Sequence, residues 1–164
     1  MKAVKIVVRG VLAVCAIGVV ASVVSADTDP RVGTWKLNLA KSRYVPGPTP
    51  KSLTITYEAP ATGLTSLTQG TDDTGKPINP DKTKVNIIVD GKDHPTPTPT
   101  GAYNTSAWKR IDANSWTVVR KKDGKVTQNV KNVVSKDGKT LTITTRGINA
   151  EGKTINNKAV YDKQ

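Results

Sequence analysis

The sequence predicts an all-β fold, an antiparallel up-and-down meander closed into a single barrel of about eight to nine strands, after an N-terminal signal peptide. Apolar residues alternate with Thr, Lys and Asn along most of the chain, and a period of two is typical of half-buried strands. Pairs of an acidic residue and glycine recur between these runs, and such pairs supply the positive φ that tight hairpin turns require. Closing the meander would remove the exposed strand edges that promote aggregation.

Residues 1–26 have the composition of a secretion signal. A positively charged start precedes an apolar stretch over residues 11–24, and the small residues Ser25 and Ala26 complete a cleavage site. The apolar stretch is shorter than the roughly 20 residues that a membrane span needs. We therefore expect an exported protein, periplasmic or secreted, whose mature chain starts at Asp27, forms one domain over residues 27–164 and keeps no membrane span.

The expected mature chain is basic and free of cysteine. Cys15 is the only cysteine and lies in the signal, which leaves no disulfide, thiolate nucleophile or sulfur metal ligand. The 25 Lys and Arg become 22 without Lys2, Lys5 and Arg9, and against 13 Asp and Glu the net charge is +9. The lysines are dispersed along the sequence, so a solvated surface is the favoured interpretation, and binding of envelope polyanions is the next.

The alternating pattern divides the mature chain into about nine candidate strands. They are residues 35–39, 53–57, 64–70, 85–89, 103–111, 116–118, 126–134, 141–143 and 155–161. Glycine turns separate many of these runs, and each turn predicts antiparallel neighbours on its two sides. The turn glycines are Gly75, Gly91, Gly124, Gly138 and Gly152. Two proline-rich stretches, residues 46–50 and 95–99, lack ladder donors and are expected as extended loops, either stiff connectors or part of the rim.

A short motif at the start of the first strand carries a resemblance to a known family. Gly33-Thr34-Trp35 resembles the signature of the calycin superfamily, which includes lipocalins, fatty-acid-binding proteins and avidins. From this motif through Lys41-Ser42 to Val160-Tyr161-Asp162, the chain is similar to secreted bacterial proteins described as lipocalin-like. The resemblance implies a lipocalin-like barrel in which Gly33 and Trp35 are the structural signature and Trp35 plugs one end. It implies no ligand, because that group has no established one.

The chain also departs from the best-known calycins. The Thr-Asp-x-x-Tyr type motif of typical lipocalins is absent, and three prolines follow the first strand where fatty-acid-binding proteins place a helical portal. Lipocalins stack a late-strand arginine on the tryptophan of the signature. Arg146 is the positional candidate, but inward-facing Leu141 and Ile143 would place Arg146 outward.

Several polar residues fall on the inward face of the predicted strands. A buried polar group costs about 1–3 kcal/mol without a partner, so these residues indicate a wet or ligand-filled lumen. With the nearby aromatic residues, the candidate lumen set is Tyr57, Trp108, Trp116, Arg120, Gln128, Asn132, Asn157 and Tyr161. A cationic Arg120 among apolar walls suits a small hydrophobic acid. Two alternatives stay open: a solvated Arg120 at the barrel mouth, and ordinary core packing for the aromatic residues.

Catalysis has little support in the sequence. His94 is the only histidine, and it could pair with Asp90 or Asp93, but it lies against Pro95 and no G-x-S-x-G motif accompanies it. Zinc sites usually need three or four ligands, and no phosphate-binding loop precedes a helix. We expect no enzyme activity, no metal site and no cofactor. Without a basic groove interleaved with aromatic residues, we also expect no nucleic-acid partner.

The sequence therefore favours a monomeric extracytoplasmic binding protein that holds a small hydrophobic or anionic ligand in a barrel lumen without chemical turnover. The alternative is a cell-envelope interaction or structural module that acts through its basic outer surface and proline-rich loops.

Overall fold

The computed structural model describes residues 29–164, without the side chains of residues 98 and 99. The expected signal peptide, the cleavage site before Asp27 and Cys15 lie outside the described residues. Residues 29–164 form eleven strands and a short 3-10 helix, Leu39–Lys41. The strands are β1 (Gly33–Leu37), β2 (Ser52–Glu58), β3 (Leu64–Thr71), β4 (Pro77–Ile78), β5 (Val85–Ile87), β6 (His94–Thr100), β7 (Tyr103–Arg110), β8 (Ser115–Lys122), β9 (Lys125–Val134), β10 (Thr140–Ile148) and β11 (Thr154–Lys163). Within this part of the chain, no helix has the length and apolar character needed to cross a membrane.

All strands belong to one antiparallel sheet whose order follows the chain. The order is β4-β3-β2-β1-β11-β10-β9-β8-β7-β6, and β5 also pairs with β3. β1 pairs with β11, with Trp35 opposite Lys163 and Leu37 opposite Tyr161, so the first and last strands meet and the sheet curls on itself. Among the described residues no ladder pairing joins β5 to β6, and the barrel is open between them. The predicted all-β antiparallel meander of lipocalin-like barrel type is confirmed, with more strands than expected, but the predicted closure is incomplete because β5 and β6 do not pair.

The second proline-rich stretch forms a strand, so the expectation of a loop there was wrong. β6 pairs with β7 through His94 opposite Ser106 and Thr100 opposite Tyr103, with a register shift between them. Backbone N–H groups of successive strand residues point to opposite sides, and the prolines of β6 occupy alternate positions. The missing donors therefore concentrate on one side of the strand. This pattern suits a strand with a neighbour on one side only, which explains why β6 does not pair with β5.

The five turn glycines all have positive φ, between 68° and 94°. Four of them, Gly75, Gly124, Gly138 and Gly152, connect strands that pair with each other. Gly91 does not, which corrects the expectation of antiparallel neighbours on its two sides. Its N–H donates to the Trp108 carbonyl of β7 over 2.9 Å, because the strand that follows it lies beside β7 rather than β5.

Two glycines inside strands allow neighbouring backbones to approach closely. Gly70 in β3 has φ +155°, and Gly147 in β10 has φ +146°. A Cβ atom on Gly70 would lie 2.1 Å from the Ser52 carbonyl oxygen, and one on Gly147 would lie 2.0 Å from the Thr127 carbonyl oxygen. Both obstacles are backbone atoms of a paired strand, so they cannot move aside as a flexible side chain would.

We predict that Gly147→Ala lowers the free energy of unfolding by about 2 kcal/mol or more, because the new methyl group overlaps backbone and the φ value is unfavourable for alanine. Urea denaturation measures the change. Gly124→Ala is the matched control: its φ is +79°, but nothing lies within 4 Å of the added Cβ, so a smaller loss of about 1 kcal/mol is expected. Equal losses in the two variants would contradict a role for the close approach.

Candidate functional site

A buried arginine fills the centre of one end of the barrel. The Arg31 side chain is 1% exposed. Its guanidinium carbon lies 4.0 Å from the centre of the Trp116 ring, 5.5 Å from that of Trp108 and 6.0 Å from that of Tyr57. Cation–π attraction of this kind is strongest where water is excluded. Arg31 therefore joins three aromatic residues from β2, β7 and β8 into one packed group.

Asp29 and Trp35 hold Arg31 in this position. Asp29 accepts two hydrogen bonds from the guanidinium, from Nε to Oδ1 over 3.0 Å and from Nη2 to Oδ2 over 2.8 Å. The Trp35 indole Nε1 donates to the Arg31 carbonyl over 2.7 Å. Sequence reasoning missed this arginine because it precedes the first strand and has no strand parity. The available signal was an Asp-x-Arg sequence, Asp29 to Arg31, separated by one residue from the Gly-x-Trp motif.

The Gly-x-Trp motif has a geometric explanation in this barrel. Trp35 is fully buried, and the Lys163 ammonium lies 5.1 Å from the centre of its ring. Gly33 has φ +123°, and a Cβ there would lie 2.9 Å from Lys163 Cε, so glycine leaves room for the lysine to cross the ring. Arg146, the positional candidate for this cation, is exposed on the outer surface, as its strand parity indicated.

A cavity of about 530 Å³ lies inside the barrel. Aliphatic and aromatic side chains form most of its wall, together with a set of hydroxyl groups. The lining residues include Tyr44, Leu53, Ile55, Ser66, Thr68, Val85, Tyr103, Trp108, Arg120, Ile143, Thr145, Asn157 and Tyr161. The cavity also reaches the opening between β5 and β6, where Thr83 and Thr96 contribute to the wall.

The structure divides the eight predicted lumen residues into two groups. Four of them line the cavity: Trp108, Arg120, Asn157 and Tyr161. The other four are buried and lie outside the cavity lining: Tyr57, Trp116, Gln128 and Asn132. Strand parity indicated the side of the sheet for all of them except Trp108, but it does not show how far along the barrel each side chain lies. Ligand contact by any of them stays a prediction.

The residues outside the lining have structural partners. Trp116 packs between Arg31 and the Arg110 guanidinium, which is 5.7 Å from the centre of its ring. Asn132 is the ladder partner of Trp116, and its buried Nδ2 has no hydrogen-bond partner among residues 29–164. Burial raises the pKa of Tyr57 to about 12, against the lowering effect of the Arg31 and Arg120 charges. Tyr57 is therefore neutral at physiological pH.

Arg120 is held against the cavity wall by two neighbours. Its Nη1 donates to Gln128 Oε1 over 3.0 Å, and its guanidinium carbon lies 4.4 Å from the centre of the Tyr103 ring. Gln128 in turn donates from Nε2 to the Ile148 carbonyl over 3.0 Å. Gln128 therefore uses both ends of its amide to orient Arg120, a role that the sequence did not indicate.

Two tyrosine side chains, Tyr44 and Tyr161, contribute to the cavity wall. Burial raises the pKa of Tyr44 and of Tyr161, and the neighbouring Tyr44 and Tyr57 raise the pKa of Tyr161 further. Both phenols are therefore neutral at physiological pH. The Tyr44 hydroxyl is fully buried beside the Tyr161 hydroxyl and is not open to the cavity. Asn157, on the same wall, accepts a hydrogen bond from the Val45 N–H over 2.9 Å and so ties the segment after β1 to β11.

His94 lies away from this cavity. Its Nε2 is 3.0 Å from each carboxylate oxygen of Asp90, whereas Asp93 pairs with Lys121 at 2.7 Å. Among residues 29–164, no group of three or more His, Cys, Asp or Glu side chains is arranged to hold a metal ion.

Comparisons with known proteins support the architecture. No protein-family profile matches the chain, and no curated protein matches it. A solved structure described as "As-p18, an extracellular fatty acid binding protein" is similar, with a TM-score of 0.51 and 15% sequence identity over 83% of this chain and 97% of that chain. The fold is calycin-like. At this level of identity the likeness establishes the fold alone, because one fold can carry many functions.

We predict that Asp29→Asn destabilises the protein at neutral pH by about 2 kcal/mol, because it leaves the buried Arg31 without its counter-charge. Burial raises the pKa of Asp29, but the hydrogen bonds and charge of Arg31 outweigh it and the folded-state pKa is lowered. The stabilisation is thus complete above about pH 4, the usual aspartate pKa, and is lost as pH falls through the lower folded value.

Urea denaturation across a pH series measures this difference. The gap between the native protein and Asp29→Asn should shrink as the solution is acidified below about pH 4. Asp73→Asn, a change of an exposed aspartate, should show no comparable gap at any pH. A gap of constant size from neutral to acid pH would contradict the ion pair as its cause.

Proposed function

We propose that the protein binds a small amphipathic organic acid in the barrel lumen, outside the cytoplasm, and releases it chemically unchanged. The placement of Arg120 on the wall of a mostly apolar cavity carries this proposal. A guanidinium among apolar side chains favours a ligand that joins one carboxylate to an apolar body.

The cavity suits a ligand with an apolar body. Its volume of about 530 Å³ lies within the range of roughly 300–1,000 Å³ for small-molecule sites. Leu53, Ile55, Val85 and Ile143 offer aliphatic surface, and Trp108 adds an aromatic wall. Burial of an aliphatic chain against such walls contributes about 25 cal/mol per Å² of apolar surface removed from water.

The polar part of the wall suits a carboxylate. Arg120 is a permanent cation, and its Nη1 bond to Gln128 leaves other guanidinium N–H groups for a ligand. Charge-assisted hydrogen bonds from arginine to carboxylate are about twice as strong as neutral ones. Because Gln128 and Tyr103 already fix the guanidinium, less side-chain entropy is lost when the ligand binds.

The comparison agrees with this proposal in general terms. The similar solved structure is described as an extracellular fatty acid binding protein, which is a binding protein and is found outside the cell. The sequence independently predicts export of this chain from residues 1–26. The alternative of an envelope module would leave the lumen empty, so occupancy of the lumen distinguishes the two.

Native mass spectrometry tests occupancy directly. The protein purified from the export route of its host should show a discrete noncovalent adduct that dissociates on collisional activation and has the mass of an organic acid. A protein that stays unliganded, before and after incubation with a lipid extract, would contradict the proposal and favour the envelope module.

We predict that Arg120→Leu weakens binding of dodecanoic acid at least about tenfold but leaves binding of dodecanol unchanged, because the lost charge-assisted bond serves only the acid. Isothermal titration calorimetry measures both affinities. Arg146→Leu, which removes an exposed arginine from the outer surface, is the matched control and should not alter either affinity. Equal weakening of acid and alcohol binding would show that the substitution changed the shape of the cavity and that the charge of Arg120 is not what the acid recognises.

A further inference from the structure

Basic residues that are far apart in sequence form one row on the outer face of the sheet. Each pair of neighbours along this row is a ladder pair of adjacent strands, from β7 to β11 and on to the segment after β1. In order around the barrel, the residues are Lys109, Thr117, Lys131, Thr144, Lys158 and Arg43. We name these six residues the Lys-Thr row.

The side chains of the Lys-Thr row point away from the lumen. Ladder partners share one face of a sheet, and the next residue along each strand points to the other face. Trp108, Thr145 and Asn157, each next to a residue of the row, line the cavity. The four cations of the row are exposed, in agreement with this orientation.

The spacing of the row is regular. Adjacent strands are about 4.8 Å apart, so Lys109, Lys131 and Lys158 follow one another at intervals of about 10 Å, with a threonine hydroxyl between them. Arg43 extends the row by one further strand spacing, to a length of about 24 Å. An extended chain with an anionic group in each repeat would meet an ammonium or guanidinium group alternating with a hydroxyl donor.

The surface around the row carries no opposing charge. The outward rows on its two sides run from Ala107 to Asn156 and from Ser115 to Val160, and neither contains Asp or Glu. The first of them adds another cation, Arg146. In the described part of the chain, none of these five cations forms an ion pair within 4.0 Å, whereas several lysines elsewhere do.

The acidic residue at the edge of this face is already engaged. Asp112, in the turn between β7 and β8, accepts hydrogen bonds from the Ser115 hydroxyl over 2.6 Å and from the Asn114 N–H over 2.8 Å. These hydrogen bonds, and to a smaller extent the Lys131 charge, lower the pKa of Asp112. No ion pair within 4.0 Å joins the described side chains of Asp112 and Lys131, so the Lys131 ammonium can still contact a partner.

A shallow depression lies at the middle of the row. It has a volume of about 360 Å³, and its lining includes Thr117, Lys131 and Thr144 from the row together with Arg146. The wall of the depression is mostly apolar, and the Lys131 and Arg146 side chains beside it supply N–H donors for phosphate oxygens.

We propose that the Lys-Thr row binds a flexible linear polyanion that carries phosphate groups, laid across β7–β11 around the outside of the barrel. The outer face of a barrel is convex, so a flat bilayer would contact only a few strands, whereas a flexible chain can follow the curve and reach every cation. The row and its two flanking rows contain no aromatic side chain, so they offer no platform on which nucleic-acid bases could stack.

Titration with linear inorganic polyphosphate at several salt concentrations tests the proposal. The row variant combines Lys109→Gln, Lys131→Gln and Lys158→Gln. The control variant combines Lys51→Gln, Lys92→Gln and Lys136→Gln, three exposed lysines in loops and turns, so both variants lose the same net charge. We expect the row variant to bind about tenfold more weakly at low salt, with a salt slope lower by about two, and the control to change little.

Equal losses in the two variants would overturn the proposal, because binding would then follow net charge rather than the row. Binding of vesicles that contain phosphatidylglycerol, without binding of polyphosphate, would also overturn it and assign the face to a membrane surface. Binding of dodecanoic acid should be unchanged in the row variant. Unchanged binding of dodecanoic acid would show that the substitutions affect the outer surface and not the lumen. It would also show that the variant is folded.

Discussion

The pairing of β1 with β11 is the constraint on which the rest of the molecule depends. Trp35 opposite Lys163 and Leu37 opposite Tyr161 join the two ends of the chain in the middle of the sheet. The edge strands β5 and β6 are joined by residues 88–93 alone, so the sheet has to curl to bring its two edges together. Once it curls, the simple alternation of strand residues becomes a difference between inside and outside. One set of side chains converges on a lumen, and the other set spreads over a convex surface. The cavity and the Lys-Thr row are the two results of this one closure.

The lumen is packed at one end and hollow at the other. At the packed end, Arg31 lies among aromatic rings and is neutralised by Asp29, so a cation takes part in the core of a chain whose described residues include no cysteine. At the hollow end, Arg120 is held by Gln128 and its remaining donors are available to the cavity. Two arginines inside the same barrel thus differ in role, because one has a carboxylate partner and the other has an amide.

The inner and outer surfaces would recognise different chemistry. Inside, apolar walls and the Arg120 cation would favour a ligand with one acidic group on an apolar body. Dissolved salt would screen the attraction between Arg120 and that acidic group only weakly. Outside, exposed cations at regular intervals favour many anionic groups on a flexible chain, with attraction that weakens steeply as salt rises. A protein with both surfaces could carry a small molecule while it stays close to a polyanionic partner. Because the two sets of side chains lie on opposite faces of the same strands, each can change without disturbing the other.

Local pattern in the sequence determined the fold class and the turns at Gly124, Gly138 and Gly152. It also determined the side of the sheet to which most strand residues point, since period and turn chemistry depend only on near neighbours. Tertiary structure decided the rest. It placed Trp108 and Arg120 on the cavity wall but Trp116 and Gln128 in packed surroundings, because depth along a barrel depends on register between distant strands. It made a strand of the proline-rich segment because β7 offered a partner, and it brought Arg31 into the core although no strand contains it. It also aligned dispersed lysines into one row. This alignment depends on which residues of neighbouring strands are paired, and the spacing of the lysines along the sequence does not show that.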